Sequence, residues 1–491
     1  MTFVTISDFI PIVPELILVL TALLVLLVDL VGTQTGYKMT SPLLAIGGLC
    51  VAVFAEIQLF GGNRVGFFDT IVADQYSILF EIIYMVTGII TITISWHYIA
   101  ENNMNFREYY VLMLFSIVGM MLMTSSLDLL MIFIGLEIMS ISSYIMVGMM
   151  RRVVTANEAA LKYLLLGAFS TGFLLYGISL IYGATGSTQL PAIIEHLQQA
   201  GAFENPLVGF GLALLIIGVG FKVAIVPFHM WTPDVYTGAP TPVAAFMSAA
   251  VKAAGFAILI RIFLTGIPHA ERWDNMMWVI AILTMTVGNV MALRQNNIKR
   301  MLAYSSIAHA GYVMVAVVVG SEAAITSIIY YSFAYALMGM GAFGVLSIRS
   351  NGKTIETYED LAGYAHAGPT EQVAAVLMST FMLSLLGLPL TAGFIGKFQI
   401  FYAALDEGWF WLTVIAAMNS VISLFYYLRV IVFMYMKERI GAQQEKESQT
   451  SVSSLFAITG LLATAAGIVY LGIFPNDFVQ LAQLSVTAIS F

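Results

Sequence analysis

The chain has 491 residues, 60% hydrophobic and 10% charged, with a net charge of −8 and a mean hydropathy of +0.91. Soluble domains carry about 25% charged residues, so this composition excludes a soluble fold and describes a polytopic membrane protein. The single cysteine, Cys50, excludes an intrachain disulfide and a thiolate-built metal site, and there is no phosphate-cradling glycine loop or spaced His/Cys cluster.

In chain order, apolar runs of about 20 residues predict fourteen transmembrane helices, at 10–31, 41–60, 75–97, 109–126, 128–150, 157–183, 206–230, 241–263, 274–294, 300–320, 323–348, 371–404, 408–436 and 452–474. The first run is long enough to span and lacks the flanks of a cleaved leader. The fourth and fifth abut, and 371–404 is too long for one straight helix. Loop charge supports the count. With the N-terminus outside, the inner loops hold twelve basic residues: Lys38, Arg107, Arg151, Arg152, Arg294, Lys299, Arg300, Arg349, Lys353, Lys437, Arg439 and Lys446. The outer loops hold two, Arg64 and Arg272, which is the positive-inside pattern and places both termini outside.

Two runs carry helix breakers. Pro227 follows Lys222 by five residues in the seventh, and Pro389 precedes Lys397 by eight in the twelfth. Each proline removes a backbone donor and frees the carbonyl four residues earlier, those of Val223 and Leu385. Interruptions five runs apart predict two five-helix units, runs 4–8 and 9–13, and an odd number of helices per unit makes them inverted repeats. The expected fold is an all-α polytopic bundle in four parts: a three-helix segment (1–108), a first repeat (109–263), a second repeat (274–437), and a loop with the last helix (438–491).

Five ionisable residues lie deep in these runs: Glu137, Lys222, Lys252, His309 and Lys397. At 1.5 Å per residue, Glu137, Lys252 and His309 are about 14–16 Å deep, near the middle of a ~30 Å hydrocarbon core. A charge there costs about 2.5–3.5 kcal/mol on insertion scales, so such groups point to charge movement. Desolvation loosens a lysine's hold on its proton and a carboxylate tightens it, whereas arginine stays charged. Glu137 is the expected partner of Lys222. Structural roles compete with this reading: Lys397 as a cation satisfying carbonyls beside a broken helix, Glu137–Lys222 as a static ion pair, Lys252 on a neighbouring carbonyl, and His309 hydrogen-bonded to a neighbour. Lys162, five residues into its run, is placed to snorkel to the inner interface. Arg261 and Arg429 are expected to snorkel or pair, and Glu15 to lie at the outer interface. Glu56 and Glu81 have no assigned role.

The segment FKVAIVPFHMWTPDVYTGAPTPVAAFMSAAVKAAGFAILIR (221–261) resembles the antiporter-like membrane-arm subunits of bacterial-type proton-pumping NADH–quinone oxidoreductase, respiratory complex I, and among them the subunit N family. The stretches at 131–149, 297–312 and 383–398 resemble the same family. The resemblance implies a proton relay in which Glu137 is the fifth-helix glutamate, Lys162 a sixth-helix lysine and Lys222 the seventh-helix lysine. Lys252 is the connecting lysine, His309 the central polar residue and Lys397 the exit-side residue. The sister subunit M would carry glutamate in the twelfth helix, where GFIGKF has Lys397, and subunit L adds a C-terminal lateral helix. The resemblance places flavin, iron–sulfur clusters and quinone in partner subunits. It implies neighbouring antiporter-like and small membrane subunits and a peripheral redox arm as partners, in a bacterial cell membrane, and no nucleic acid. A subunit of an Mrp-type cation/proton antiporter complex is the alternative, and a structural subunit with inert charges a third reading.

Overall fold

A computed structural model describes residues 5–31, 39–102, 108–199, 201–264, 271–348, 355–438 and 452–489. Of the loop charges counted above, Lys38, Arg107, Arg349, Lys353, Arg439 and Lys446 lie outside the described residues. Among the described residues 14 helices are long and apolar enough to cross a membrane. They are Ile6–Val28, Thr40–Leu59, Gln75–Trp96, Glu108–Ser125, Leu129–Val147, Val154–Thr185, Pro206–Val223, Thr241–Leu264, Asp274–Leu293, Ile298–Val319, Glu322–Leu346, Pro369–Leu386, Phe410–Met436 and Phe456–Ile473. Helix is the form that satisfies every backbone polar group within its own segment, which lipid requires. The abutting fourth and fifth runs divide because Asp128 adopts an extended conformation and its carboxylate accepts from the Leu130 and Met131 amides at 2.8 and 3.2 Å.

The eighth, tenth and eleventh helices form the centre of the bundle, while the first, second and thirteenth bury only about a third of their residues or less. The fourth and fifth approach closely through facing glycines. A Cβ on Gly119 would meet the Met139 amide nitrogen at 2.5 Å, and one on Gly135 the Gly119 carbonyl oxygen at 2.7 Å. The eighth helix is not uniform. It widens into π-helical turns at Met247–Val251, just before Lys252, and at Ile260–Leu264, around Arg261. Such turns concentrate at functional sites.

Both predicted interruptions are present. The seventh helix ends at Val223, where Ala224 turns left-handed at φ 61°, and a short helix resumes at Trp231–Gly238. Trp231 Nε1 donates to the Phe221 carbonyl at 2.9 Å, and the Ile225 amide to the Gly220 carbonyl at 3.0 Å, so the open end is sealed one turn before the expected Val223. The twelfth run is two helices, Pro369–Leu386 and Ala392–Asp406, separated at Gly387, whose φ of 93° suits glycine. Gly393 sits against the Ser384 carbonyl, where any side chain would clash.

Two elements lie outside the predicted runs. A hairpin, β1 (Arg64–Gly66) and β2 (Ile71–Ala73), pairs antiparallel with Val65 opposite Val72 and packs on the first turns of the N-terminal helix. After the last span, a 13-residue helix, Pro475–Thr487, packs on the third and eleventh helices, with Phe478 stacked on Phe333 at 4.9 Å.

Arg261 does not snorkel. Its guanidinium lies over the Tyr76 ring and donates to both Asp74 oxygens at 2.9 and 3.0 Å, with both side chains fully buried. This pair ties the start of the third helix to the end of the eighth. Removing one partner of a buried pair leaves an uncompensated charge and costs about 3–5 kcal/mol. Arg261→Met should therefore lower the thermal midpoint of the detergent-solubilised protein sharply. The double variant Asp74→Asn/Arg261→Met should recover much of the loss in the same melt.

Candidate functional site

Lys222 occupies the last turn before the first break, where its ammonium group is fully buried. It donates to Ser140 Oγ at 2.7 Å and to the Tyr144 hydroxyl at 3.4 Å. The rings of Tyr144, Tyr163 and Phe221 stand 5.4–5.7 Å from the nitrogen, a cation–π cage. Glu137, Ser140 and Tyr144 fall at i, i+3 and i+7 on one face of the fifth helix. The expected Glu137–Lys222 ion pair is not formed within 4.0 Å among the described residues, and Glu137 Oε1 has no partner. The hydroxyls one and two turns further along that face take the ammonium instead.

Lys252 follows the first π turn of the eighth helix, which passes close to Lys222 because Gly255 has no side chain. A Cβ there would stand 2.6 Å from Val223 Cγ1 and 3.6 Å from Lys222 Cβ. The Lys252 ammonium donates to both the carbonyl and the hydroxyl of Ser306 on the tenth helix, each at 2.7 Å. Beside it lies a cavity of about 20 Å³ lined by Lys252, Ser306, His309, Tyr331 and Tyr335. Its volume is that of about one water, and its few polar edges stand in otherwise carbon-lined walls that include Ala249, Phe256 and Val313.

His309, a turn along from Ser306, is held at both ring nitrogens. Nδ1 meets the Tyr331 hydroxyl at 2.5 Å and Nε2 the Tyr427 hydroxyl at 2.8 Å, and Tyr427 also meets Ser305. In a neutral imidazole one nitrogen donates and the other accepts, so a proton shift along this line exchanges the two roles.

Lys397, in the second part of the broken twelfth helix, donates to the Leu385 and Leu386 carbonyls at 3.0 Å each and to Ser420 Oγ at 3.2 Å. It also lies 4.9 Å above the Tyr312 ring. Its three N–H donors are thus fully used, two of them on carbonyls the break leaves open, including the predicted Leu385. The space toward His309 is filled by neutral polar side chains that the sequence reading passed over. Tyr426 donates to Asn289 Oδ1 at 2.8 Å, and Asn289 Nδ2 reaches the Tyr312 hydroxyl at 3.3 Å and Asn419 Oδ1 at 3.2 Å. The two amides in otherwise apolar helices were the available signal.

Glu15, near the hairpin end of the bundle, is 3% exposed, its carboxyl buried against neighbouring helices. Lys162 lies away from the buried row. It is part-exposed and paired with Glu158 and Asp234 at 2.8 Å each, while Asp234 also binds Arg300 at 2.8 Å. Arg429 pairs as expected, lying over Tyr358 at 4.1 Å. Among the described residues no group of three or more His, Cys, Asp or Glu is arranged to hold a metal ion.

Asp234 sits on the short helix beyond the first break. Burial works against its charge, but hydrogen bonds from Lys162 and Arg300 outweigh burial and hold the carboxyl below the usual carboxylate range. A depressed folded-state pKa contributes stability that is complete above the unfolded value of about 3.9 and is lost as pH falls through the folded one. Asp234→Asn should therefore cost about 1 kcal/mol. The gap in thermal midpoint between the two proteins should hold constant from about pH 8 to 5 and close only in stronger acid.

Residues 126–423 match the family described as NADH:quinone oxidoreductase/Mrp antiporter, transmembrane. NADH-quinone oxidoreductase subunit N of Trichlorobacter lovleyi is 44% identical over 482 residues, covering 97% of each chain. Subunit N 1 of Solibacter usitatus is 42% identical over 480 residues, covering 98% of this chain and 97% of that one. A chain of respiratory complex I from Thermus thermophilus superposes with a TM-score of 0.78 at 32% identity, covering 96% of this chain and 99% of that one. A chain of the Mrp complex from Dietzia superposes at 0.84 with 19% identity, covering 98% and 97%, and shows the shared fold.

Fourteen apolar helices, with two interruptions each beside a buried lysine, define an antiporter-like membrane protein. The chain belongs to the NADH:quinone oxidoreductase/Mrp antiporter transmembrane family, as a subunit-N-like membrane-arm component in the bacterial inner membrane.

Proposed function

We propose that this chain translocates protons as the subunit N of a bacterial-type NADH–quinone oxidoreductase, through Glu137, Lys222, Lys252, His309 and Lys397. The observation that carries the reading is the row itself. Four buried nitrogen bases lie on the seventh, eighth, tenth and twelfth helices, and each is held by hydroxyl, carbonyl or phenol groups rather than by a countercharge. The cavity between Lys252 and His309 has room for one bridging water, and Tyr426, Asn289, Tyr312 and Ser420 fill the interval between His309 and Lys397. Such chains pass protons by exchanging donor and acceptor roles.

Electron transfer to quinone in partner subunits supplies the energy, reaching this chain as conformational and electrostatic change through neighbouring membrane subunits. Glu137 and Ser140 offer the Lys222 ammonium two seats one turn apart, a charged and a neutral one. Movement between them switches Lys222 between holding and releasing its proton, and release biases Lys252, His309 and Lys397 in turn. Lys162 serves at the inner edge, where its ion pairs link the sixth helix to the short helix beyond the first break. The four-part division of the chain at 108, 263 and 437, with inverted repeats from 109–263 and 274–437, and both termini on the periplasmic side complete the proposal. Flavin, iron–sulfur clusters and quinone belong to the partner subunits.

Lys222→Ala and Lys397→Ala should each lower proton pumping by about tenfold or more while the complex still assembles, measured by acidification in reconstituted vesicles beside copurification of the other subunits. Lys222→Arg should fail similarly, since arginine keeps its charge. Normal pumping in all three sinks the relay. Copurification of Mrp-type partners in place of quinone-reducing ones would transfer the same chemistry to an antiporter.

A further inference from the structure

Three glutamates outside the lysine row come together in the N-terminal three-helix segment. Glu15, Glu56 and Glu81 lie on the first, second and third helices, at 3%, 1% and 3% exposure. All three are near the end of the bundle capped by the β1–β2 hairpin: Glu56 is one turn from the end of its helix, and Glu81 two turns from the start of its own. The Glu56 and Glu81 carboxyl groups are buried neighbours on the second and third helices, which pack together. Neither Glu56 oxygen meets a donor, and Glu81 Oε1 also has none. Independently, the Glu15 side chain, from a different helix, is buried beside this pair with both oxygens unpartnered.

The other charged groups facing the cluster are Asp74, at the start of the third helix, and Arg261, from the eighth, which are engaged with each other. The phenols of Tyr76 and Tyr84 are committed to the Ala257 carbonyl and to Thr124. Among the described residues no donor reaches either Glu56 oxygen or Glu81 Oε1. Two carboxylates cannot hydrogen-bond, because an ionised carboxylate only accepts. Like charges left unpaired in a membrane bundle carry a heavy desolvation penalty. The oxygens do not converge as metal ligands do.

We propose that Glu15, Glu56 and Glu81 form a second proton-binding site, in which a proton is shared between Glu56 and Glu81 and Glu15 faces the pair as a further acceptor or donor. Loading takes one proton from water and turns one carboxylate into a carboxylic acid; no other reactant is involved. The site lies before residue 126, outside the stretch that matches the family. It borders the Asp74–Arg261 pair, and so the helix that carries Lys252. Its existence does not depend on the lysine relay.

The test is infrared spectroscopy of the intact purified complex in H2O and D2O. The expected result is a protonated-carboxyl C=O band that moves down in D2O. Glu56→Gln and Glu81→Gln should each remove one carboxyl's share of it and shift the remainder, since each takes away half of a shared pair. Glu15→Gln should shift the band of the surviving pair. Glutamine preserves volume and neutrality; should one variant fail to assemble, another gives the same reading. Spectra unchanged by the assembled variants would overturn the site. Lys222→Ala should leave the band in place, so failure of the relay and failure of this site are read separately.

Discussion

A break in a membrane helix opens carbonyls that lipid cannot satisfy, and at one of the two breaks in this protein a lysine ammonium closes two of them. Lys397 spends its three donors on Leu385, Leu386 and Ser420. A neutral amine has two N–H groups, so loss of the proton must release one of the three acceptors. Charge and backbone are coupled at this point: the group that seals the interruption is the same group that the proposed relay asks to give up a proton. The structural role and the transporting role of Lys397, which compete as explanations of its presence, are compatible in this geometry.

The first break is built differently. Its open end is sealed by the indole of Trp231 and the Ile225 amide, which leaves Lys222 free of carbonyl duty and resting on hydroxyls inside an aromatic cage. A cation held by neutral oxygens and π faces is easier to displace than one locked to a carboxylate. The lack of a direct Glu137 contact among the described residues therefore suits the partner exchange proposed for Lys222. The two interruptions occupy corresponding places in the two proposed repeats, yet one cation is anchored to backbone and the other is not.

The breaks were legible because proline has an unavoidable backbone consequence. For Pro389 even the freed carbonyl, Leu385, was placed correctly. For Pro227 the helix stops a turn sooner, at left-handed Ala224, which nothing in the local sequence requires of an alanine. The buried bases were legible because charge is rare in apolar runs. Their connections were not: Asn289, Asn419, Tyr312, Tyr331 and Tyr427 look like ordinary polar or aromatic residues until packing brings them into one line. Nor did helix periodicity reveal that Glu15, Glu56 and Glu81, spread over 67 positions from 15 to 81, point at one another.

The two wide turns of the eighth helix bear on how the family can vary. A π turn accommodates one surplus residue, and each residue of helix advances about 100° around the axis. Losing a residue within Met247–Val251 would let that stretch tighten into ordinary α-helix without shortening its rise much. The flanking residues would then keep nearly the same azimuth, whereas the same deletion in plain α-helix would swing one side by about 100° relative to the other. The wide turn is thus a place where the chain can lose or keep one residue without parting Lys252 from Ser306.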